Sequence, residues 1–176
     1  MAEEDPPTPS PAPPASGAGS TATANRWPDP QARQQWVDQR YADAENTKPV
    51  NSTKDWAIYQ RRTTGDVEVR VGEGRQAIWA DGLQVDPDAA VVAEAKYVVT
   101  SRHSLYEGNV PPALLDTLLT RFDEEIRRYG AAIKDQRNPI SRLRIFTNTA
   151  AAAKFLGNRT RSILGPNIDV DVRHTP

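Results

Sequence analysis

The run Ala90-Val91-Val92-Ala93-Glu94-Ala95-Lys96-Tyr97-Val98-Val99 constrains this chain more than any other stretch. Its valines and its nearly continuous apolar character predict a strand buried on both faces in the middle of a sheet. A sheet of that kind needs covering layers on both sides. Two charges interrupt the run. Glu94 and Lys96 are two residues apart, so on a strand they point to the same face. Charges in so apolar a setting are expensive unless they pair with each other at an edge or solvated face, or bind something.

The surrounding pattern supplies the layers. Residues 30–45 read as a weakly amphipathic helix, residues 46–53 as a polar break, and residues 53–62 as a short helix capped by Ser52 or Thr53, with Trp56 and Tyr59 on one face. After a turn at Thr64-Gly65-Asp66, Val67, Val69 and Val71 alternate with Glu68 and Arg70, which predicts a strand over 66–72. Residues 75–80 read as the next strand and 83–88 as a loop or strand end. Leu115, Leu118, Leu119, Phe122, Ile126 and Tyr129 recur at helical spacing over 112–129, with Gly130 as terminator. A strand over 143–149, an Ala-rich helix over 150–164 and a strand over 168–173 complete the pattern. This order predicts an α/β sandwich with a mixed central sheet flanked by helices.

Composition divides the chain in two. Residues 1–25 hold six of its 15 prolines, three acids and no Lys or Arg, and no large apolar residue after Met1. Such a segment buries too little surface to offset its ordering entropy and reads as a disordered Pro/Ala/Ser-rich tail or linker. Residues 26–176 form the foldable domain, with 22 basic against 20 acidic side chains. That near balance neither demands nor excludes nucleic acid, so a phosphate-binding surface has to come from local clustering. Cysteine is absent, which excludes disulfides and thiolate metal sites. The acidic, proline-rich start is no secretory signal, and no segment is long and apolar enough for membrane insertion. The expectation is a domain made in the cytoplasm and carried elsewhere by a secretion system or as part of a larger secreted protein.

Acids upstream of the charged strand suggest what its charges are for. Asp81 ends the preceding strand and is followed by Gly82, which permits close backbone approach; Asp86 and Asp88 lie nearer to Glu94 in the chain. One such acid together with Glu94, and the backbone carbonyl of Ala95, would offer hard oxygen ligands to Mg²⁺ or Mn²⁺. Lys96 would then stand beside the cation, placed to orient or help deprotonate an attacking water.

The stretch from Tyr59-Gln60 through Trp79-Ala80-Asp81-Gly82 to Ala93-Glu94-Ala95-Lys96-Tyr97 resembles the restriction-endonuclease-fold toxin domains of bacterial polymorphic toxins, within the PD-(D/E)xK nuclease superfamily. The resemblance covers about residues 52–173. It implies a restriction-endonuclease-like α/β sandwich and a metal-dependent nuclease. The expected activity is DNA phosphodiester hydrolysis, with RNA as the alternative substrate. It also implies a cognate immunity protein. Glu94 and Lys96 match the family's Glu-x-Lys. Asp81 takes the place of its metal-binding acid, with Asp86, before Pro87 in an inverted order, as the rival. Gln60 stands where related domains add an acid or amide from the first helix.

Lesser candidates surround this core. Arg61, Arg62, Arg121 and Arg128, with Arg127, Lys154, Arg159 and Arg161, could track a phosphate backbone or simply be solvated. His103 could contact phosphate or merely be exposed. Trp56, Trp79 and Phe122 are expected in the core rather than as base-stacking platforms. A binding module without catalysis on the same fold is the non-enzymatic alternative.

Overall fold

The computed structural model describes residues 27–100 and 102–176, and the tail read over residues 1–25 lies outside them. Helix α1 (Pro30–Ala42) starts where Asp29 accepts the Gln31 N–H at 2.9 Å and Pro30 supplies a pre-set first turn. A three-residue strand β1 (Thr47–Pro49) and helix α2 (Asp55–Thr63) follow. Then come β2 (Val67–Val71), β3 (Ile78–Ala80), β4 (Gly82–Val85) and β5 (Ala90–Lys96). The second half alternates: α3 (Pro112–Lys134), β6 (Ile140–Thr147), α4 (Ala150–Leu164), β7 (Asp169–His174).

The strands form two sheets. In the order β1-β2-β3, three strands pair antiparallel. In the order β4-β5-β6-β7, β4 pairs antiparallel to β5 while β5, β6 and β7 run parallel. The mixed sheet flanked by helices is therefore present, and β5 lies inside it with a partner on each side. Asp81 is the single residue between β3 and β4, at the point where the chain leaves one sheet and enters the other.

The faces of the mixed sheet differ. Val92, Leu143, Ile145 and Val170 join Phe122, Ile126, Tyr129 and Ile133 of α3 and Leu156 of α4 in the main core. The opposite face carries a smaller cluster in which Tyr59 of α2 packs on Ala93 and Phe146. Among the described residues, no helix is long and apolar enough to cross a membrane.

Several expectations need correction. Gly130 does not end α3, which continues to Lys134. It sits where α3 meets α4: a Cβ there would come within 2.6 Å of Leu164 Cδ2. Its lack of a side chain serves packing, not termination. Residues 74–76 form a 3₁₀ turn instead of the start of a strand. Part of the polar break pairs as β1, and within the region read as a loop or strand end β4 forms a strand of its own over Gly82–Val85. Phe122 is buried as expected, but Trp56 and Trp79 are 43% and 40% exposed.

Candidate active site

Strand β5 runs its apolar side chains into both layers until it reaches its last turn of alternation. There Glu94 and Lys96 point to the α3 side, the face Val92 also takes, whereas Ala93, Ala95 and Tyr97 face α2. Glu94 is 6% exposed. Lys96 Nζ donates to Glu94 Oε1 at 2.6 Å and to Glu125 Oε1 of α3 at 2.6 Å. One helical turn further along α3, the Tyr129 hydroxyl donates to Glu94 Oε2. Asp81 joins from the junction between the sheets: its Oδ2 accepts the Ala95 N–H at 2.7 Å. Gly82 makes that junction possible, because a Cβ there would lie 2.5 Å from the Thr64 carbonyl oxygen.

Three carboxyl groups thus face one ammonium. Burial pushes the Asp81 carboxyl up to about 6, against the opposing pull of the Ala95 N–H and Lys96. Burial pushes Glu94 up to about 8; Lys96 opposes this and Asp81 adds to it. Burial works against the Lys96 charge, but the Glu94 and Glu125 carboxylates more than offset it and hold its pKa well above the ordinary lysine value. The Tyr129 hydroxyl is likewise held up by burial and by Glu94, so it stays a donor. With all three carboxyl groups ionised, the cluster has an excess of buried negative charge over the single ammonium. A divalent cation with a preference for oxygen could balance that charge. Among the described residues, no group of three His, Cys, Asp or Glu side chains forms a ready metal site. The candidate donors are two carboxylates and backbone oxygen, and the donor chemistry fits Mg²⁺ or Mn²⁺.

The structure brings Asp81, Glu94, Ala95 and Lys96 together. Asp86 goes elsewhere. It sits in the β4–β5 turn, with its N–H on the Ala89 carbonyl, and its carboxylate pairs with Arg142 and Arg144, both at 2.6 Å. From that turn to Glu94 is about five strand residues, or roughly 17 Å. Gln60 is 2% exposed, and its Nε2 has no partner among the described residues; no hydrogen bond joins it to Asp81 or Glu94. Arg61 donates to the carbonyls of Val50 and Ser52, and Arg62 to the Pro176 carbonyl while lying over the Tyr59 ring. These contacts tie the chain down around α2. His103 Nδ1 contacts the Asn109 carbonyl at 2.7 Å. Arg121 is exposed, and Arg128 lines a shallow depression with Arg75 and Arg127.

Glu125 is absent from the sequence reading, and Tyr129 enters it only as a member of the apolar stripe, not of the site. Their signal was positional. Leu118, Phe122, Glu125 and Tyr129 follow one row of the helix, so an acid stood in the apolar stripe of α3.

The family model described as restriction endonuclease fold toxin 2 matches residues 56–163, a span that runs from α2 to α4 and contains every member of this cluster. Neither the curated proteins nor the solved structures provide a match.

Proposed function

This chain belongs to the restriction endonuclease fold toxin 2 family, and on that premise we propose that it is a metal-dependent nuclease toxin whose substrate is DNA. The observation that carries the reading is the buried cluster of Asp81, Glu94 and Lys96, with more carboxyl groups than cations to balance them. Asp81, Glu94 and the Ala95 carbonyl would hold Mg²⁺ or Mn²⁺. Such a cation, when bound, supplies Lewis-acid polarisation of the scissile phosphate and charge stabilisation as the leaving oxygen develops.

The chain's own residues do the rest. Lys96 has three N–H donors and spends two on Glu94 and Glu125, which leaves one for a substrate oxygen or an attacking water. Its proton is held firmly, so Lys96 acts as a positioning and electrostatic group. Tyr129 fixes the Glu94 carboxylate from the far side. Water then replaces one phosphodiester linkage with a phosphomonoester and a free hydroxyl. A cognate immunity protein that covers this cluster would protect the producing cell, and the toxin would act inside a target cell after delivery.

The test is cleavage of plasmid DNA with Mg²⁺, alongside an RNA of matched length. Glu94→Gln and Lys96→Ala should each lower the rate on DNA by about 100-fold or more while circular dichroism stays that of the parent. Folded variants that both cut at the parent rate would end this reading. Faster cutting of RNA than DNA would replace the substrate and leave the site intact.

A further inference from the structure

Just past the end of β5, a groove of about 400 Å³ opens between Lys54, Asp55, Trp56, Tyr97, Val99 and Arg102. Its wall residue Tyr97 follows Lys96 directly in the chain, but on the α2 side of the sheet, opposite the face that carries the acidic cluster. Trp56 is 43% exposed and Val99 41% exposed. Tyr97 is held from within by the Tyr59 ring at 5.5 Å between centroids. Among the described residues, neither Lys54 nor Arg102 makes an ion pair, so two cations flank the aromatic wall against the single acid Asp55. A large exposed indole, a braced phenol ring and unpaired cations match what an unstacked base and its phosphates need. A duplex, whose bases are stacked on each other, offers the indole nothing to stack on.

We infer that this groove binds a single-stranded segment of nucleic acid, with a base stacked on Trp56 and the backbone between Lys54 and Arg102. The inference rests on the nuclease reading and deepens it by adding a contact for single-stranded stretches of the nucleic acid.

Binding by the full chain should be measured in chelator, by fluorescence anisotropy of labelled oligonucleotides of about 12 nucleotides. Single-stranded DNA, single-stranded RNA and duplex DNA form the three arms, and the two single-stranded arms identify the sugar. Trp56→Ala should weaken single-strand binding about ten-fold, and Trp56→Phe by no more than about three-fold. Binding to duplex should change by less than two-fold in both variants. Trp56 is exposed, so both variants should melt with the parent. The groove is not a single-strand site if Trp56→Ala binds single strands as the parent does, the result expected were a protein partner its occupant. It is equally not one if Trp56→Ala weakens single strand and duplex alike. In either case, metal-dependent plasmid cleavage lost in Glu94→Gln would keep the nuclease reading alive. A parent chain that binds no oligonucleotide and cuts none would end both.

Discussion

On one face of the mixed sheet, Arg142 and Arg144 of β6 stand among aspartates; on the other, Glu94 and Lys96 of β5 stand beneath α3. In the first group every carboxylate has a guanidinium at close range, three arginines serving four aspartates. Arg142 pairs with Asp86, Asp88 and Asp169, Arg144 with Asp86 and Asp171, and Arg173 with Asp171, all at 2.6–3.0 Å. Arg144 and Arg142 hold the Asp86 carboxyl below its ordinary range, and although burial works against Asp171, Arg144 and Arg173 hold it down as well. The second group is unmatched, and burial pushes Asp81 and Glu94 up. The same residue types therefore serve two ends. The arginine ladder is satisfied within the chain and joins β4, β6 and β7. The acidic cluster sets three carboxyl groups around one ammonium, and buried carboxyl groups shifted in this way mark a candidate functional site.

The largest effect that separates the two is on stability. Arg144 is almost fully buried and holds two carboxylates and the Gln84 amide oxygen. Arg144→Met should cost about 2–3 kcal/mol in urea unfolding, less than for a fully buried pair because Asp86 keeps Arg142 and Asp171 keeps Arg173. The variant, where folded, should cleave as the parent does. A folded Arg144→Met chain without activity would show that the ladder takes part in the chemistry and would dissolve the distinction.

How much of this could be read from residues alone follows the same division. The valine alternation of β2 and the apolar run of β5 carry local signals, and Glu94 and Lys96 stand out because their neighbours are apolar. Asp81 is preferred over Asp86 because Asp81-Gly82 stands where the resembled family has its Asp-Gly, and the close approach of Gly82 to Thr64 gives that pair a physical reason. The fate of Asp86 had no local trace, since Arg142 and Arg144 lie 56 and 58 residues further on and the pairing depends on the crossover through α3. Strand β1 contains only Thr47, Lys48 and Pro49 and exists through its pairing to β2. Glu125 was hidden by the stripe around it. Trp56 and Trp79 were misread because aromatic type outweighed position; nothing in their spacing said which face was covered.

A smaller effect, opposite in sign, should appear at Asp81. Its folded-state pKa, about 6, is raised above the ordinary aspartate value of 3.8. Its contribution is therefore fully present below about pH 4 and is lost as pH rises through about 6. Asp86 and Asp171 behave in the reverse way, with a contribution present at neutral pH and lost as acid protonates them. In chelator, Asp81→Asn should shrink the decline in stability between pH 4 and 7, leaving the part that Glu94 contributes, and raise unfolding stability at pH 7.5 by about 2 kcal/mol, with about 3 as the upper bound. The Asn side-chain oxygen can still accept the Ala95 N–H. Mg²⁺ or Mn²⁺ should raise the melting temperature of the parent at pH 7.5 and leave that of Asp81→Asn unmoved. A variant less stable than the parent at pH 7.5, or stabilised by the cation to the same degree, would place Asp81 with the satisfied carboxylates of the ladder.

The finest distinction concerns the donor that replaces an arginine. In the ladder each carboxylate is met by a guanidinium, whereas Glu94 is met on one side by Lys96 and on the other by the neutral Tyr129 hydroxyl. Burial pushes the Glu94 carboxyl up, and a neutral donor opposes that push less than a second cation would. Tyr129→Phe removes one hydrogen bond to the charged form and nearly nothing else by volume. The Glu94 carboxyl should then ionise at still higher pH. Cleavage at pH 7 should fall about ten-fold, and the acidic limb of the pH–rate profile should move to higher pH with recovery of rate above it. A purely structural role for Tyr129 would lower the rate by the same factor at every pH and leave the limb in place.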